Sequence, residues 1–508
     1  MEKELHRIRN KQLWDKVVSA EEAASWIKDG DTIGISGFAI GGTAKAVPRA
    51  LAKRAEKEEF KINFYTGASL GSNIDSLMAE AGIVKKRMPY QSEKPMRNKI
   101  NSGEILYVDQ HLSHCADWLR TGVWGDIDYA IIEAVAITED NMIIPTGSLG
   151  NSPSFVQQAK NVIVEINTAM PESMEGIHDV YIPEPQGERT PYQITHPGDR
   201  IGTVGIPVDP EKIKGIVFLH ESDTGAPLVA PDEETQMMAN HLMRFLREEV
   251  KAGRLPKQLP PLQSGVGAVA NAVLYGMLDS EFENLTMYTE VLQDAVVDLI
   301  EAGKVTVASS CSLTLSDEKR EYLYANFEKF KDSIILRPQE ISNHSEVIRR
   351  LGVISMNTAL EVDIYGNVNS THVAGTKMMN GIGGSGDFAR NARLAIFVTK
   401  STAKNGDISS IVPFCSHIDH TEHDVDVIVT EQGYADLRGL SPRERAEAII
   451  ENCAHPKYKQ QLWNYYLEAL SRGGHTPHVI EKAFSFHENL IKHGTMLMSS
   501  EEEETKTK

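Results

Sequence analysis

The sequence predicts an α/β protein with two tandem domains, each built on an open, mainly parallel sheet. β-prone runs at 32–36 and 61–66 each end in a Gly-rich turn, and helical patterns follow them. Strands separated by helices are typical of right-handed βαβ units with helices on both faces of the sheet. The chain has 508 residues, enough for about two to four domains at roughly 100 to 200 residues each.

Short segments recur in the two halves of the chain and indicate an internal duplication. Phe64-Tyr-Thr-Gly67 resembles Met287-Tyr-Thr-Glu290, and both follow a β-prone run. The segment 126–133, which ends at Glu133, likewise resembles 424–431, which ends at Glu431. Two copies of one α/β fold is the economical interpretation.

Turn-forming and helical segments predict the domain limits. A breaker-rich stretch at 223–232 precedes an amphipathic helix that contains Met238, Leu242, Phe245 and Leu246, and 253–261 interrupts the chain again. We therefore expect an N-terminal domain at 1–225, a linker helix and loop at 226–262, and a C-terminal domain at 263–500. The acidic tail at 501–508 is expected to be disordered.

Composition excludes several classes of protein. The chain carries 71 acidic and 52 basic residues and a formal charge of −19, with no block of five or six lysines and arginines, which argues against a nucleic-acid partner. The first twelve residues are charged, and no apolar run approaches the roughly 18 residues of a membrane span. Four dispersed cysteines suit a reducing compartment. We expect a cytoplasmic protein without a membrane partner.

The loop Gly381-Ile-Gly-Gly-Ser-Gly386 satisfies the dinucleotide pattern GxGxxG, but its context does not fit. The segment before it is not a convincing strand, and the residues about 20 positions later, 400–404, are basic rather than acidic. A nicotinamide oxidoreductase is therefore a disfavoured alternative.

Three histidines, His417, His420 and His423, recur at every third position. On a helix such spacing could place two imidazoles side by side for zinc. The favoured alternative is a polar connection whose histidines form hydrogen bonds, so no metal is expected.

An acid lies among Gly-rich turns in the second half. Gln263-Ser-Gly-Val-Gly267 runs into a predicted helix at 268–278, and its backbone amides can approach an anion without Cβ obstruction. Glu290 follows the strand before it, at the end where parallel sheets bind ligands. Its structural alternative is the N-terminus of a helix at 291–300, but the turns at 263–267 and 381–386 favour a functional role.

These segments resemble the acetyl-CoA hydrolase/transferase family. The resemblance rests on 263–267, Tyr288-Thr-Glu-Val-Leu-Gln-Asp294, Arg337-Pro-Gln-Glu-Ile-Ser-Asn343, Asn369-Ser-Thr-His-Val-Ala-Gly375, Asn380–Phe388 and Thr430-Glu-Gln-Gly433. It extends from about Ser19 to Met498 and is strongest to propionyl-CoA:succinate and succinyl-CoA:acetate CoA-transferases. It implies two tandem open α/β domains of the CoA-transferase type.

The resemblance also implies a reaction. Coenzyme A would pass from a short-chain acyl-CoA (succinyl-, propionyl- or acetyl-CoA) to a free carboxylate by a ping-pong mechanism, with Glu290 as nucleophile and a glutamyl-CoA thioester as intermediate. Val266 and Gly384 would supply oxyanion N–H donors, Asn343 would bind the glutamyl carbonyl region, and Glu431 would orient the site. No permanently bound cofactor is implied, since coenzyme A is the substrate. Acyl-CoA hydrolysis is the alternative.

Contacts with the substrates carry over in the same way. For coenzyme A they are Gln263, Ser264, Gly265, Val266, Gly267, Asn380, Gly384 and Lys404. Ser69 is a candidate contact of the acceptor carboxylate, and a homodimer is implied. Some relatives carry an arginine in the segment that corresponds to 223–228, but this chain has none there. The absence disfavours a dicarboxylate such as succinate, because a buried second carboxylate favours a bidentate cation.

Overall fold

A computed structural model describes residues 4–227, 231–265 and 267–498. Within these residues, nine strands form an N-terminal sheet. They are Thr32–Ile35 (β1), Ile62–Tyr65 (β2), Val84–Met88 (β3), Leu106–Tyr107 (β4), Ile127–Ile137 (β5), Met142–Pro145 (β6), Ala159–Asn167 (β7), Ile206–Pro207 (β8) and Ile213–Leu219 (β9). The parallel order is β4-β3-β2-β1-β5-β7-β9, while β6 and β8 join through antiparallel pairs.

Helices cover this first sheet, and a longer helix follows it. They are Ala20–Ser25 (α1), Ala46–Ala55 (α2), Leu77–Glu80 (α3), Lys94–Asn101 (α4), Cys115–Arg120 (α5), Ser152–Gln158 (α6) and Glu233–Lys251 (α7). Local chemistry sets their starts: the Ser19 hydroxyl accepts the Glu22 amide ahead of α1, and the Asp232 carboxylate accepts the Thr235 amide ahead of α7.

The second half holds another sheet and several short strand pairs. The strands are Leu262–Ser264 (β10), Leu285–Tyr288 (β11), Val291–Leu292 (β12), Val305–Ser310 (β13), Ser312–Leu313 (β14), Ile334–Leu336 (β15), Ile354–Thr358 (β16), Glu361–Asp363 (β17), Val368–Asn369 (β18), His372–Val373 (β19), Lys377–Met378 (β20), Leu394–Val398 (β21), Thr402–Ala403 (β22), Ile408–Ser409 (β23), Ile411–Val412 (β24), Val427–Thr430 (β25) and Gly433–Asp436 (β26). The large sheet has the order β15-β13-β11-β10-β16-β21-β25-β26, and its pairs are parallel except β25 with β26.

Helices also surround the second sheet. They are Ala268–Leu278 (α8), Asp294–Glu301 (α9), Asp317–Ala325 (α10), Phe327–Phe330 (α11), Gln339–Ser342 (α12), Ser345–Leu351 (α13), Ser385–Asn391 (α14), Pro442–Cys453 (α15), Pro456–Arg472 (α16) and Ser485–His493 (α17). α8 has the limits that the sequence predicts. The helix predicted at 291–300 begins later, at Asp294, because Val291 and Leu292 pair with β14.

The two sheets share one topology, which confirms the predicted pair of tandem, mainly parallel α/β sheets. Seven strands of the first sheet, β4-β3-β2-β1-β5-β7-β9, match β15-β13-β11-β10-β16-β21-β25 of the second. The predicted equivalence of Gly67 with Glu290 holds, since β2 and β11 occupy the same place. The equivalence of 126–133 with 424–431 is wrong, because β5 matches β16 and Glu133 lies inside β5 rather than at its end.

The carboxyl ends of the two sheets face each other. The Ser312 hydroxyl donates to the Phe38 carbonyl at 2.6 Å, and the Leu313 amide donates to the Gly147 carbonyl at 2.8 Å. A Cβ on Gly67 would lie 3.1 Å from Gln339 Oε1, and a Cβ on Gly41 would lie 2.6 Å from the Leu313 carbonyl oxygen. The loops after the N-terminal strands therefore pack closely against the C-terminal half.

The connection between the sheets lies between Leu219 and Leu262. It contains α7, whose apolar face, Met238, Leu242, Phe245 and Leu246, is buried as its amphipathic pattern predicts. The domain limits at 225 and 262 stay a prediction. The tail at 501–508 lies outside the described residues, as does Val266.

Among the described residues, no helix has the length and apolar character needed to cross a bilayer.

A buried ion pair ties the two halves together. The Arg337 guanidinium contacts the Asp179 carboxylate and also donates from Nε to the Ser309 hydroxyl at 2.8 Å, and both charged side chains are at most 1% exposed. Arg337 follows β15, immediately before α12. The pair therefore fixes the position from which α12 begins.

We expect Arg337→Met to lower the free energy of unfolding by about 3–5 kcal/mol, because it leaves the Asp179 carboxylate buried without its cation. Urea denaturation followed by fluorescence measures the loss. Arg472→Met is the control, since it removes surface pairs with Glu468 and Glu481 that are each worth roughly 1 kcal/mol or less. Equal losses in the two variants would contradict the assignment.

Candidate active site

Glu290 follows β11 with its backbone held firmly and its side chain directed into a cleft. The Glu290 carbonyl accepts hydrogen bonds from the Cys311 amide at 3.0 Å, the Ser312 amide at 3.1 Å and the Ser310 hydroxyl at 2.9 Å. The preceding residue, Thr289, is buried and donates its hydroxyl to the Ser264 carbonyl. Glu290 is therefore not a helix-capping acid, because the next helix begins four residues later.

Asn343, which ends α12, holds the Glu290 carboxyl group. Its side-chain Nδ2 donates to Glu290 Oε1 at 2.6 Å, and its backbone N–H donates to the Gln339 carbonyl at 2.8 Å. Asn343 is fully buried. The predicted contact of Asn343 with the carboxyl end of Glu290 is present in the geometry, while its role stays a prediction.

The environment makes Glu290 an unusually weak acid. Burial raises its pKa to about 7, the Asn343 hydrogen bond acts in the opposite direction, and the charge of Asp387 raises the pKa further. A carboxylate with a higher pKa is more basic and a better nucleophile at neutral pH.

Gly384 packs directly against the Glu290 carboxyl group. A Cβ there would lie 1.8 Å from Glu290 Oε1 and 2.2 Å from Asn343 Nδ2, which no side chain can satisfy. The glycine therefore allows the main chain to approach the carboxyl group more closely than any other residue could. Close packing against Glu290 therefore explains the glycine at position 384 of the Gly-rich loop without a bound dinucleotide.

The N-terminal half holds this loop in place. Both oxygens of Asp109 accept the Ile382 amide, at 2.9 and 3.0 Å, and Arg97 Nε donates to the Met379 carbonyl at 2.5 Å. A Cβ on Gly381 would lie 2.5 Å from the Tyr107 hydroxyl. The position of Gly384 beside Glu290 therefore depends on both halves of the chain.

The turn before α8 lies on another side of Glu290. Gly265 borders the cleft. The Gln293 side chain holds the turn through both ends of its amide. Its Nε2 donates to the Gly265 carbonyl at 2.9 Å, and its Oε1 accepts the Gly267 backbone N–H at 3.2 Å. The Gln263 side chain is buried and accepts the Met356 amide at 3.1 Å. Ser264 is buried as well.

These elements enclose a cleft of about 200 Å³ between the two halves. One wall is largely apolar and the other is the Gly-rich loop, and none of the described residues that line the cleft is a lysine, arginine or histidine. The lining residues are Phe38, Ala39, Ala68, Tyr90, Leu112, Gly265, Glu290, Val291, Asn357, Thr358, Ser370, Asn380, Gly381, Ile382, Gly383, Gly384 and Ser385.

Several predicted site residues do not border the cleft, among them Ser69, Lys404 and Glu431. Ser69 is buried and donates its hydroxyl to Asp75 at 2.8 Å, so only its neighbour Ala68 borders the cleft. Lys404 is exposed in the turn between β22 and β23. Glu431 accepts the Ser401 amide at 2.8 Å; burial raises its pKa, but the Ser401 hydrogen bonds outweigh burial and its pKa is low.

The histidine-rich segment does not form an α-helix: it is irregular around His417 and His420, and His423 lies in a short 3-10 helix, Glu422–Asp424. His420 Nε2 lies 3.1 Å from the Ser385 hydroxyl, and the His417 ring stacks on His372 with centroids 3.9 Å apart. No group of three metal-binding side chains with a suitable arrangement occurs in the described part of the chain.

Sequence reasoning missed several residues of the site. Asp387 lies within the quoted motif at 380–388, yet its spacing gave no indication that it approaches Asn343. Tyr90 and Asp109 lie in N-terminal loops without any local motif. The Tyr90 hydroxyl is uncharged at neutral pH, because burial raises its pKa to about 12, Asn380 opposes the rise and the charge of Glu290 adds to it.

Two family models match the chain: the acetyl-CoA hydrolase/transferase N-terminal domain at residues 1–218 and the C-terminal domain at 320–466. The chain belongs to the acetyl-CoA hydrolase/transferase family. The predicted family membership is thereby confirmed, and the protein is an enzyme. Glu290 lies between the two matched segments.

Curated relatives cover nearly the whole enzyme. A succinyl-CoA:acetate CoA-transferase of Clostridium kluyveri is 55% identical over 96% of this chain and 92% of its own length. A propanoyl-CoA:succinate CoA transferase of Escherichia coli is 45% identical over 95% and 99%, respectively. An acetyl-CoA hydrolase of Schizosaccharomyces pombe is also 45% identical, over 96% and 98%. Both transfer and hydrolysis thus occur among similar proteins.

We expect Gly384→Ala to lower the activity of the enzyme by at least about 10²-fold, because the new Cβ displaces either Glu290 or the main-chain amide beside it. Initial rates with an acyl-CoA measure the effect. Gly276→Ala in α8 is the matched control, since the added Cβ would meet Met243 at an ordinary 3.6 Å. A Gly384→Ala variant with near wild-type rates would contradict this account.

The pH dependence of kcat/KM for the acyl-CoA should report the ionisation of Glu290. The pKa of about 7 predicts a rate that falls below neutral pH, since the protonated acid cannot attack. The limiting decrease is about tenfold per pH unit. A profile that stays flat down to about pH 5, near the pKa of an unperturbed glutamate, would show that Glu290 is not the titrating group.

Proposed function

We propose that the enzyme is a CoA-transferase that moves coenzyme A between a short-chain acyl-CoA and a free carboxylate through a glutamyl-CoA thioester on Glu290. The observation that carries the proposal is the Glu290 carboxyl group itself, held by Asn343 at 2.6 Å and in contact with the main chain of Gly384. Identity of 55% and 45% to two CoA-transferases supports it.

The first half-reaction starts from ionised Glu290. A carboxylate oxygen attacks the thioester carbonyl, the carbon–sulfur bond breaks, and CoA thiolate departs. A mixed anhydride of Glu290 and the acyl group remains. The thiolate then attacks the Glu290 carbonyl carbon and expels the free carboxylate. The product is a thioester between Glu290 and coenzyme A, and no net proton is transferred.

The second half-reaction reverses these bond changes with another carboxylate. The acceptor oxygen attacks the glutamyl-CoA carbonyl, CoA thiolate leaves, and a new mixed anhydride forms. The thiolate attacks the acceptor's carbonyl carbon, which releases the new acyl-CoA and restores the Glu290 carboxylate. Ping-pong kinetics follow.

The surrounding residues stabilise the charge that develops in these steps. The Gly384 N–H is the proposed oxyanion donor, and the Asn343 amide would bind the glutamyl oxygen. Val266, which lies outside the described residues, stays a proposed second donor. Contacts of coenzyme A with 263–267, Asn380, Gly384 and Lys404, the orienting role of Glu431 and the acceptor contact of Ser69 also stay proposals.

The cleft favours small monocarboxylates as acceptors. Its wall of Phe38, Ala39, Ala68 and Leu112 offers apolar surface to an alkyl group. The absence of a cation among its described lining residues leaves a second carboxylate unpaired, which would be costly in a buried site. Acetate and propionate are therefore proposed ahead of succinate. Homodimeric assembly is proposed from the family resemblance, and a cytoplasmic location from the four dispersed cysteines.

Intact-mass spectrometry after incubation with an acyl-CoA and no acceptor tests the proposal. We expect one addition with the mass of coenzyme A less water, located on Glu290 by peptide mapping and absent from Glu290→Gln. Glu283→Gln is the control, since Glu283 is exposed and forms only a 3.6 Å surface pair with Lys304. A wild-type enzyme that turns over without the adduct would overturn the proposal.

Omitting the acceptor carboxylate from the assay distinguishes hydrolysis from transfer. Transfer predicts that about one equivalent of free carboxylate per site is released and no free CoA thiol, because the CoA stays on Glu290, and that acetyl-CoA forms when acetate is added. Steady release of carboxylate and free CoA without an acceptor would indicate hydrolysis instead. Hydrolysis is the alternative because the family description and the S. pombe relative both name it.

A further inference from the structure

The Asn343 side-chain amide bridges two carboxyl groups. Its Nδ2 donates to Glu290 Oε1 at 2.6 Å and to Asp387 Oδ2 at 3.3 Å. A primary amide nitrogen has two N–H groups, so both donors are used. The Asn343 Oδ1 is buried and accepts no hydrogen bond within the described structure.

Asp387 is itself held from the N-terminal half. The Ser113 amide donates to Asp387 Oδ2 at 3.0 Å, and the Ser113 hydroxyl donates to Oδ1 at 2.5 Å. Asp387 is 5% exposed. Three donors, two of them from another part of the fold, thus fix this carboxylate beside Asn343.

This arrangement decides which end of the Asn343 amide faces Glu290. The orientation of an amide is set by its partners. A flipped amide would direct Oδ1 toward two carboxyl groups and lose both N–H hydrogen bonds. The amide oxygen would then face carboxylate oxygens that repel it, so the flipped orientation is strongly unfavourable. The anionic form of Asp387 therefore keeps the N–H end on Glu290.

The same anion acts on the charge of Glu290. No cation lies among the described residues that line the cleft, so the field of Asp387 at Glu290 is not offset there. A nearby negative charge disfavours ionisation and makes the carboxylate a stronger base. The effect agrees in direction with the raised pKa of Glu290.

We propose that Asp387 is a positioning residue for CoA transfer, one that fixes the Asn343 amide on Glu290 and, through its charge, strengthens Glu290 as a nucleophile. The inference rests on the proposed function of Glu290. It assigns a role to a residue that contacts neither substrate nor the reacting atoms.

Other ionisable groups face this pair and must be separated from Asp387. His111 Nδ1 lies 4.0 Å from Asp387 Oδ1, and burial raises the pKa of Asp387 to about 6, although the Ser113 hydrogen bonds oppose the rise. Burial lowers the pKa of His111, and burial raises the thiol pKa of Cys115 and Cys311, so these groups are uncharged at neutral pH. Further ionisable groups nearby are Tyr90 and Asp109, whose pKa values burial raises to about 12 and about 7, and Arg390, Asp419 and His420, which interact electrostatically with His111 or with each other.

Asp387→Asn removes the charge and preserves the hydrogen bonds. The carbonyl oxygen of the introduced side-chain amide would accept the Ser113 amide and Asn343 Nδ2 in place of Oδ2, while its NH₂ would donate to the Ser113 hydroxyl after rotation. We expect the acid limb of kcat/KM for the acyl-CoA to move to lower pH by about half to one unit. The plateau rate should fall about two- to threefold, as Glu290 becomes less basic.

Two further variants make the experiment decisive. Ser113→Ala removes one donor from Asp387 and raises its pKa, so it should move the acid limb in the same direction by a smaller amount; this variant decides the question if Asp387→Asn does not fold. Asp140→Asn, in an exposed turn, is the charge-matched control with wild-type behaviour expected. Folded variants that lose rate without a shift of the acid limb would show a merely structural role and overturn the proposal.

The CoA adduct on Glu290 is measured in the same wild-type samples. If the adduct is missing, the proposed function fails. If the adduct forms but Asp387→Asn and Ser113→Ala keep the wild-type acid limb, only the role of Asp387 fails.

Discussion

The close contact between Gly384 and the Glu290 carboxyl group is the constraint on which the site depends. It requires that the loop at 381–386 be placed to within a fraction of an ångström, although the loop has little regular structure. Asp109 and Arg97 supply that placement from the first half of the chain, and Asn343 fixes the carboxyl group from the other side. The cleft is therefore a property of the interface between the halves and not of either sheet alone.

Much of this architecture could be predicted from the sequence because it is locally encoded. The alternation of β-prone and helical segments predicts the parallel sheets, and the turn at 263–267 followed by apolar helix residues predicts α8 with its limits. Glu290 could be singled out because it directly follows a strand between glycine-rich segments. Family resemblance then placed Asn343 and Gly384 near it.

The remainder depends on contacts that are distant in sequence. Nothing in the spacing of 126–133 shows that β5 continues past Glu133, since its continuation pairs with β6. Likewise, Asp387 and Ser113 are 274 positions apart, and no periodic pattern reports such a contact. Predicted residues such as Lys404 and Ser69 have the right chemistry, but tertiary packing decides whether they line the cleft.

The two sheets share one topology, but corresponding positions in them hold different residues. At the end of β2 the residue equivalent to Glu290 is Gly67, and the Gly37 carbonyl oxygen and the Gly150 Cα occupy the space into which a side chain would project. The first copy is thus closed to an acid at that point. One half therefore supplies the acid and the other half encloses it, so the proposed mechanism would load a single polypeptide with one equivalent of coenzyme A, not two.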